Sequence, residues 1–346
     1  MTISGVDRSD TTRQKILAHL RAHGSSTGPE LAGALGITRQ AINPHVRDLL
    51  AQREIVKTGS TRAARYHLPG AVLKARRLER TFDIAGLDES SVYDGFVLAL
   101  NLGRLPEHIE AILHYAFTEM LNNAIDHSKS ERCAVDFEVD AVGARFTVRD
   151  YGIGVFHSIA EKLGHPGEHA ALLELLKGKI TTQPERHSGE GIFFVSRAAD
   201  RYRLRSHRIQ LEWDRHKDDV FVADTRYLEG TRVEFEIRRS SRTRLEAVFE
   251  AYAPREYDYR FAKTQVFVRL LQREYVSRSE ARRLLHNLDR FSEIELDLGD
   301  VRHVGQGFVD EIFRVFASRH PGIVIRPTNT TPAVEAMIRH VGGPGL

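Results

Sequence analysis

One helix constrains this chain more than any other stretch. EMLNNAIDHS, residues 119–128, places Met120, Leu121, Ala124 and Ile125 at the spacing of an apolar helix face. A core helix is ordinarily polar only on its outer side. Here Glu119, Asn123, Asp126 and His127 stand beside the apolar stripe. Glu119 and Asn123 are four residues apart, so both side chains rise from one face. Two later stretches give that pairing a reason. RDYGIGVF puts Asp150, Gly152 and Gly154 just after a strand-like run, and HSGEGIFF puts Gly189 and Gly191 at a helix start. Each is a weak signal alone, because such turns are common. Their order and spacing together are specific.

The segment around them, about 83–240, follows one pattern. A helix (LPEHIEAILHYAFTEMLNNAIDHS) precedes a hairpin (CAVDFEVDAVGARFTVRDYG). A long mixed insert, the glycine-rich helix start and a final hairpin ending GTRVEFEI follow. The hairpin residues alternate as half-buried antiparallel strands do. Helices with such a sheet predict an α+β sandwich. The lone cysteine, Cys133, sits in the alternating run CAVDFEV and is expected to be a packed thiol.

The three stretches resemble the boxes of the GHKL (Bergerat-fold) ATP-binding family of gyrase, heat-shock chaperones and histidine kinases. E-M-L-N-N-A-I-D-H matches the first box, D-Y-G-I-G the second and G-E-G-I-F-F-V-S the third. Gly230-Thr231 before a strand matches the last turn. Within that family the segment is most similar to the compact anti-sigma-factor-like kinases. The resemblance implies ATP and Mg²⁺ as cofactors. Asn123 then offers its amide oxygen to Mg²⁺, and Glu119 is the catalytic residue that orients or deprotonates the attacking water or hydroxyl. Asp150 accepts from the adenine amino group, Gly152 and Gly154 make room for the base, and Thr231 supports its edge. Gly189 and Gly191 present backbone N–H groups to phosphate at a helix N-terminus. The insert 155–188 becomes a lid, with Lys177, Lys179 and Arg186 as phosphate contacts. Asp126 either tunes the site or ends its helix, and His127 is read as a structural histidine.

Two competing motifs fail on their surroundings. His165, Glu168 and His169 fit an H-x-x-E-H zinc pattern, but Pro166 and Gly167 argue against the helix it needs. KGKITT lacks the leading glycine of a phosphate-binding P-loop, since position 173 is leucine.

Residues 10–70 have a different character. TTRQKILAHLRAHG is an amphipathic helix and TGPELAGALG a short second one. Thr38 caps a third, TRQAINPHVRDLLAQ, with Ile42, Val46, Leu49 and Leu50 on one face and Arg39, Gln40, Asn43 and Arg47 on the other. Pro44 inside it removes the bond to the Gln40 carbonyl and is expected to bend the axis. EIVKTGSTRAARYHL then reads as two short strands about a turn, with Arg62 and Arg65 near the tip. The segment resembles the winged helix-turn-helix of bacterial transcriptional regulators. That implies DNA as partner: third-helix side chains against base edges, wing arginines against phosphates. Charge agrees. Residues 1–70 hold ten basic and five acidic side chains, so +5 of a total of +3 lies there and the remainder is −2. The rival reading is a three-helix protein-interaction module. A homodimer is expected if the module reads a palindrome. Residues 71–82, within GAVLKARRLERTF, read as a basic, weakly apolar linker with the makings of a helical connector.

From about 255 to 346 strands and helices alternate as βαβαβα. This tail resembles a STAS-like domain, the fold of anti-sigma-factor antagonists. Those antagonists carry a phosphorylatable serine in a strand–loop–helix. The loop here is Val304, Gly305, Gln306, Gly307 and Phe308, without a hydroxyl. The tail is therefore expected to dock a protein partner, sense the nucleotide or mediate dimerisation, or else to cap the ATPase structurally. The fold class is thus a multidomain α+β chain: winged helix-turn-helix, GHKL sandwich with a mixed or antiparallel sheet, STAS-like βαβαβα.

Composition closes other doors. The 346 residues are 41% hydrophobic and 28% charged, enough for several cores. One cysteine excludes an internal disulfide and multi-cysteine zinc sites. No apolar run approaches the ~20 residues of a membrane helix, and the first residues show no signal-like region, so the cytoplasm is expected. The preferred function is an ATP-binding transcriptional regulator whose nucleotide state controls DNA or partner binding. The alternatives are a serine/threonine kinase acting on a separate protein and a non-catalytic nucleotide-sensing scaffold.

Overall fold

The computed structural model describes residues 6–23, 25–58, 64–69, 75–140, 142–165, 167–179, 189–215, 217–270 and 274–343. Three helices and three strands make the first module. They are α1 (Val6–His23), β1 (Ser25–Thr27), α2 (Gly28–Leu35), α3 (Arg39–Ala51), β2 (Val56–Thr58) and β3 (Arg65–His67). β3 lies between β1 and β2, antiparallel to both. Thr27 and Glu30 form a capping box that starts α2, and Gly36 ends it at φ 66°. Thr38 starts α3 by accepting from Ala41 N. α3 continues across Pro44 to Ala51. Ile16, Leu20, Leu31, Ile42, Val46 and Leu49 close a small core of their own.

The middle module is a five-stranded antiparallel sheet. Its strands are β4 (Arg76–Asp83), β5 (Arg132–Val139), β6 (Gly143–Asp150), β7 (Arg201–Asp214) and β8 (Asp219–Arg238), in the order β4-β5-β6-β8-β7. Helices α4 (Glu89–Leu100) and α5 (Glu107–His127) cover one face. There Phe96, Phe117, Phe137, Phe146 and Phe235 pack ring to ring, with Phe146 and Phe235 stacked 5.1 Å apart. The insert folds as two helices, α6 (Val155–Leu163) and α7 (Glu168–Lys177), and α8 (Gly191–Ala198) follows it. His165 lies outside both insert helices and Glu168 opens α7, so no single helix carries the H-x-x-E-H pattern. The other sheet face is a lattice of opposite charges, among them Arg77–Asp136 at 2.8 Å and Arg203–Glu234 at 2.6 Å.

The linker reading of 71–82 needs correction over its second half. Arg76–Asp83 is not a connector but the edge strand β4, paired along its whole length with β5. Leu78 and Phe82 face the core, and between them Arg80 lays its guanidinium 5.8 Å from the centre of the Phe96 ring. Arg80, an exposed charged residue between the two apolar ones, thus hides the strand's alternation.

Helix α9 (Leu245–Tyr252) leads to the third module. This comprises β9 (Lys263–Phe267), β10 (Glu274–Tyr275), α10 (Arg278–Leu285), β11 (Glu293–Asp297) and β12 (His303–Val304). After them come α11 (Gln306–Asp310, carried on by a π turn, Glu311–Phe316, and a last turn, Ala317–Arg319), β13 (Val324–Thr328) and α12 (Pro332–His340). β13, β11 and β9 form a parallel sheet, and β10 pairs with β12 in parallel. Among the described residues, no helix is long and apolar enough to cross a membrane.

Candidate functional site

The glycine turns close onto the end of α5, and that contact sets the geometry of the site. Ser128 caps α5, is buried, and donates to Ala124 O at 2.5 Å. Its carbonyl accepts from Ile153 N at 2.9 Å. A Cβ at Gly152 would overlap that same carbonyl, so only glycine fits. The Asp150 turn is thereby bolted to the helix that carries Glu119 and Asn123. Ser130 adds a second tie, its hydroxyl accepting from Tyr151 N at 3.1 Å.

Asp150 ends β6 beneath this turn. One carboxylate oxygen, Oδ1, accepts from Gly152 N at 3.0 Å and Thr231 N at 3.1 Å. Burial pushes the Asp150 carboxyl above its usual range, with these two N–H donors pulling the other way. Gly230, at φ 74°, faces Asp150 with no space for a side chain. Thr231 Oγ1 accepts from Val155 N at 3.0 Å, tying the start of α6 to β8. Cys133 is buried across from Asp150 on β5, and burial, then the Asp150 charge, raises its thiol to about 11. It is a packed thiol, as its alternating surroundings predict.

On the opposite wall, Gly191 opens α8 directly against the Glu119 carboxylate, where a Cβ would overlap Glu119 Oε2. Between the walls lies a cleft of about 270 Å³. Its polar lining includes Glu119, Asn123, His127, Asp150, Ser158 and Thr231, and Gly189 and Gly191 reach its rim. Its apolar lining includes Met120, Val148, Ile159, Leu175 and Leu204. Asn123 Nδ2 is buried there with no hydrogen-bond partner. Among the described residues no group of three His, Cys, Asp or Glu side chains could hold a metal.

Of the residues singled out in the sequence, Glu119, Asn123, Asp150, Gly189, Gly191 and Thr231 line the cleft, whereas Gly152 and Gly154, in the turn after Asp150, do not. Lys179 is not at the cleft. Its ammonium donates to Arg290 O at 2.9 Å and sits 4.7 Å from the centre of the Phe291 ring, both in the third module. Lys177 is likewise elsewhere, buried against Glu174 Oε1 at 2.7 Å and His286 O at 2.8 Å. Asp126 is half-buried and does not line the cleft, whereas His127 does. Arg186 falls outside the described residues. Ser128, Ser158 and Leu175 were not foreseen; only the serines of HSKSE, flanking the first box, offered a signal.

On the first module Arg39, Gln40, Asn43 and Arg47 are all exposed along one side of α3. Arg65 is tied back to its own module, its Nε donating to Ser25 Oγ at 3.0 Å and a terminal nitrogen 3.5 Å from Glu30. Arg62 lies outside the described residues.

Three family models match, in chain order. Residues 9–52 match winged helix-turn-helix DNA-binding, 90–212 the histidine kinase-like ATPase domain, and 280–335 a STAS-like domain of unknown function. No curated protein and no solved structure matches the chain. The chain therefore joins a winged helix-turn-helix, a GHKL-type histidine kinase-like ATPase domain and a STAS-like domain, in that order.

Proposed function

We propose that this protein is a DNA-binding regulator governed by ATP and Mg²⁺. The observation that carries the reading is Asn123 Nδ2, a buried donor without a partner, in a cleft shared with Glu119 and Asp150 and suited to a phosphate oxygen. A buried amide without a partner is costly unless something polar meets it. Gly152 is held as glycine by the Ser128 carbonyl, and a side chain at Gly191 would have to displace the Glu119 carboxylate. When bound, ATP·Mg²⁺ supplies a reactive phosphoanhydride and a hard cation. The residues then divide the work. Asp150 uses the carboxylate oxygen not bonded to Gly152 and Thr231 to accept from the adenine amino group. Thr231 and the glycines Gly152 and Gly154 shape the base end. Asn123 offers oxygen to the cation, and Gly189 and Gly191 offer N–H groups to phosphate. Glu119 orients or deprotonates the nucleophile.

DNA is the partner of residues 10–70, through Arg39, Gln40, Asn43 and Arg47, with Arg65 and Arg62 toward phosphate. The domain limits that accompany this reading are 10–70, 76–240 and 255–346, with a cytoplasmic home and a homodimer on palindromic DNA. Support for coupling comes from β8. It carries Thr231 and Val233 at the cleft, and Glu236 and Arg238 against α3 and the residues just after it. Footprinting DNA with and without ATP·Mg²⁺ tests the reading. A nucleotide-dependent affinity supports it, and equal affinity in both states removes the regulatory claim.

A serine/threonine kinase acting on a separate protein is the second reading. Glu119 at the cleft favours it, and the hydroxyl-free loop Val304–Phe308 directs any transfer away from this chain's own tail. Labelled ATP and a lysate distinguish them, since a kinase marks a protein while an ATPase releases phosphate. If Glu119→Ala preserves regulation and Asp150→Asn abolishes it, nucleotide sensing without turnover is the answer.

A further inference from the structure

We propose that His207 and Glu168 are positioning residues of the nucleotide cleft: together they lock helices α6 and α7 onto the second glycine of the Asp150 turn. The inference rests on the nucleotide reading of the cleft. His207 is a non-glycine residue at φ 49°, a left-handed conformation that side chains rarely adopt. It sits where the β7–β8 ladder breaks register, between Ser206 and Ile209. Backbone in such a state persists only where its surroundings hold it, and such residues gather at functional sites.

Three contacts hold His207. Its Nδ1 lies 2.5 Å from Glu168 Oε1, at the first residue of α7. An ionised carboxylate can only accept, so Nδ1 carries the shared proton. The Tyr227 ring stacks on the imidazole at 5.1 Å. Nε2 faces Gly154, so close that a Cβ on Gly154 would come within 2.8 Å of it. Gly154 (φ 80°) is the N-cap of α6. Behind it stands Ser206, fully buried, its hydroxyl without a partner and crowded against the same glycine.

The connections run from there into the cleft. Gly154 precedes Val155, whose N–H bonds Thr231 Oγ1, and Thr231 N bonds Asp150. α6 and α7 line the cleft through Val155, Ser158, Ile159 and Leu175. Neither His207 nor Glu168 lines it, so their action is on the placement of groups that do. A pair joining the start of α7 to the start of α6 fixes the angle between those helices and the base end of the cleft. Loosening it should speed ligand escape more than it slows entry, because a preformed wall mainly sets residence time.

The test measures ATP·Mg²⁺ affinity by calorimetry, and dissociation rate with a fluorescent ATP analogue, on the full chain. Glu168→Ala and His207→Gly, the latter relieving the left-handed backbone, should each weaken affinity about tenfold, chiefly through faster dissociation, without combining additively. Glu168→Gln keeps an oxygen acceptor for Nδ1–H and should bind within about threefold of wild type, the rescue expected of a restored hydrogen bond. Melting of each variant is followed in parallel. The inference is overturned if the Ala and Gly variants bind and release like wild type, if Gln is no better than Ala, or if affinity loss merely tracks melting temperature. No binding by the wild type would instead remove the nucleotide reading beneath it.

Discussion

The middle module meets its two neighbours in unlike ways. Against the STAS-like module the seam is a continuation of the hydrophobic core, with buried residues of both in one cluster. Phe261 packs on Phe193 at 4.6 Å and Phe194 at 5.0 Å, and Phe267 packs on Trp213 at 5.9 Å. Polar ties lie within the apolar seam. Thr264 Oγ1 donates to Lys177 O at 2.7 Å, and Asn287 Nδ2 donates to Glu174 Oε2 at 2.8 Å. Against the winged module the joint is narrow and ionic. Arg53 Nε lies 2.8 Å from Glu236, and an Arg238 terminal nitrogen donates to Ala51 O at 2.7 Å. The pair is close but poorly aligned, and Arg53's guanidinium nitrogens are buried without hydrogen-bond partners. Orphaned donors cost free energy rather than supply it. A shared core makes two modules one cooperative unit; a strained ionic contact leaves the other free to be repositioned.

The largest test of that contrast is Phe261→Ala. Truncating a buried aromatic at the seam should cost about 3–5 kcal/mol. Calorimetry should show the ATPase and STAS-like modules melting together, at a lowered temperature, in one transition. Two resolved transitions would break the claim of a shared core.

The Lys177–Glu174 pair gives the next effect, both side chains about 95% buried. Burial alone would raise the Glu174 carboxyl, but the Lys177 charge and the Asn287 and His286 bonds outweigh it and hold it below the ordinary 4.5. A depressed folded-state value adds stability above the unfolded value, lost as pH falls through the folded one. Wild-type stability should therefore decline below about pH 4.5, and Glu174→Gln should flatten that decline. The variant should also cost roughly 3 kcal/mol at neutral pH by stranding the Lys177 charge. Urea titrations across pH check both.

What the sequence could reveal follows the same division. Glu119, Asn123, Asp150 and the glycines were legible because each sits in a local stretch whose spacing encodes its own geometry. Lys179 was misplaced because its partner is 111 residues away, and nothing near KGKITT betrays the STAS-like surface that receives it. Strand β4 reads as linker because the exposed, charged Arg80 interrupts the alternation between Leu78 and Phe82. The His207–Glu168 contact spans 39 residues and has no periodic signature. The insert's two helices, one ending at Leu163 and the other starting at Glu168, were not separable in the sequence from a single lid loop.

A third test uses the exposed side of α3. Arg39→Ala or Arg47→Ala should weaken DNA binding by about 1–3 kcal/mol if the arginine reads a base edge. Electrophoretic shift and melting curves, read together, should show lost affinity with an unaltered transition of the ATPase–STAS unit. Arg65→Ala should do less, since Arg65 is already committed to Ser25 and Glu30. A coupled drop in both readouts would mean that the modules are less separable than the ionic joint implies.

The most telling loss of function should come from the ionic joint itself. Glu236→Ala removes the acid facing Arg53, with the two side chains 19% and 12% exposed. Both side chains are mostly buried, so alanine leaves the Arg53 charge without its acid and stability should fall, by up to roughly 3 kcal/mol. Glu236 is five residues from Thr231 on one strand, about 16 Å at 3.3 Å per residue. Any shift of β8 that accompanies nucleotide binding reaches α3 through Glu236 and Arg238. The variant should bind ATP and DNA separately with near wild-type affinity, while the effect of ATP on the footprint disappears. Should the footprint keep its full nucleotide dependence, β8 is not the route, and the ionic joint is a resting place for the winged module rather than its control point.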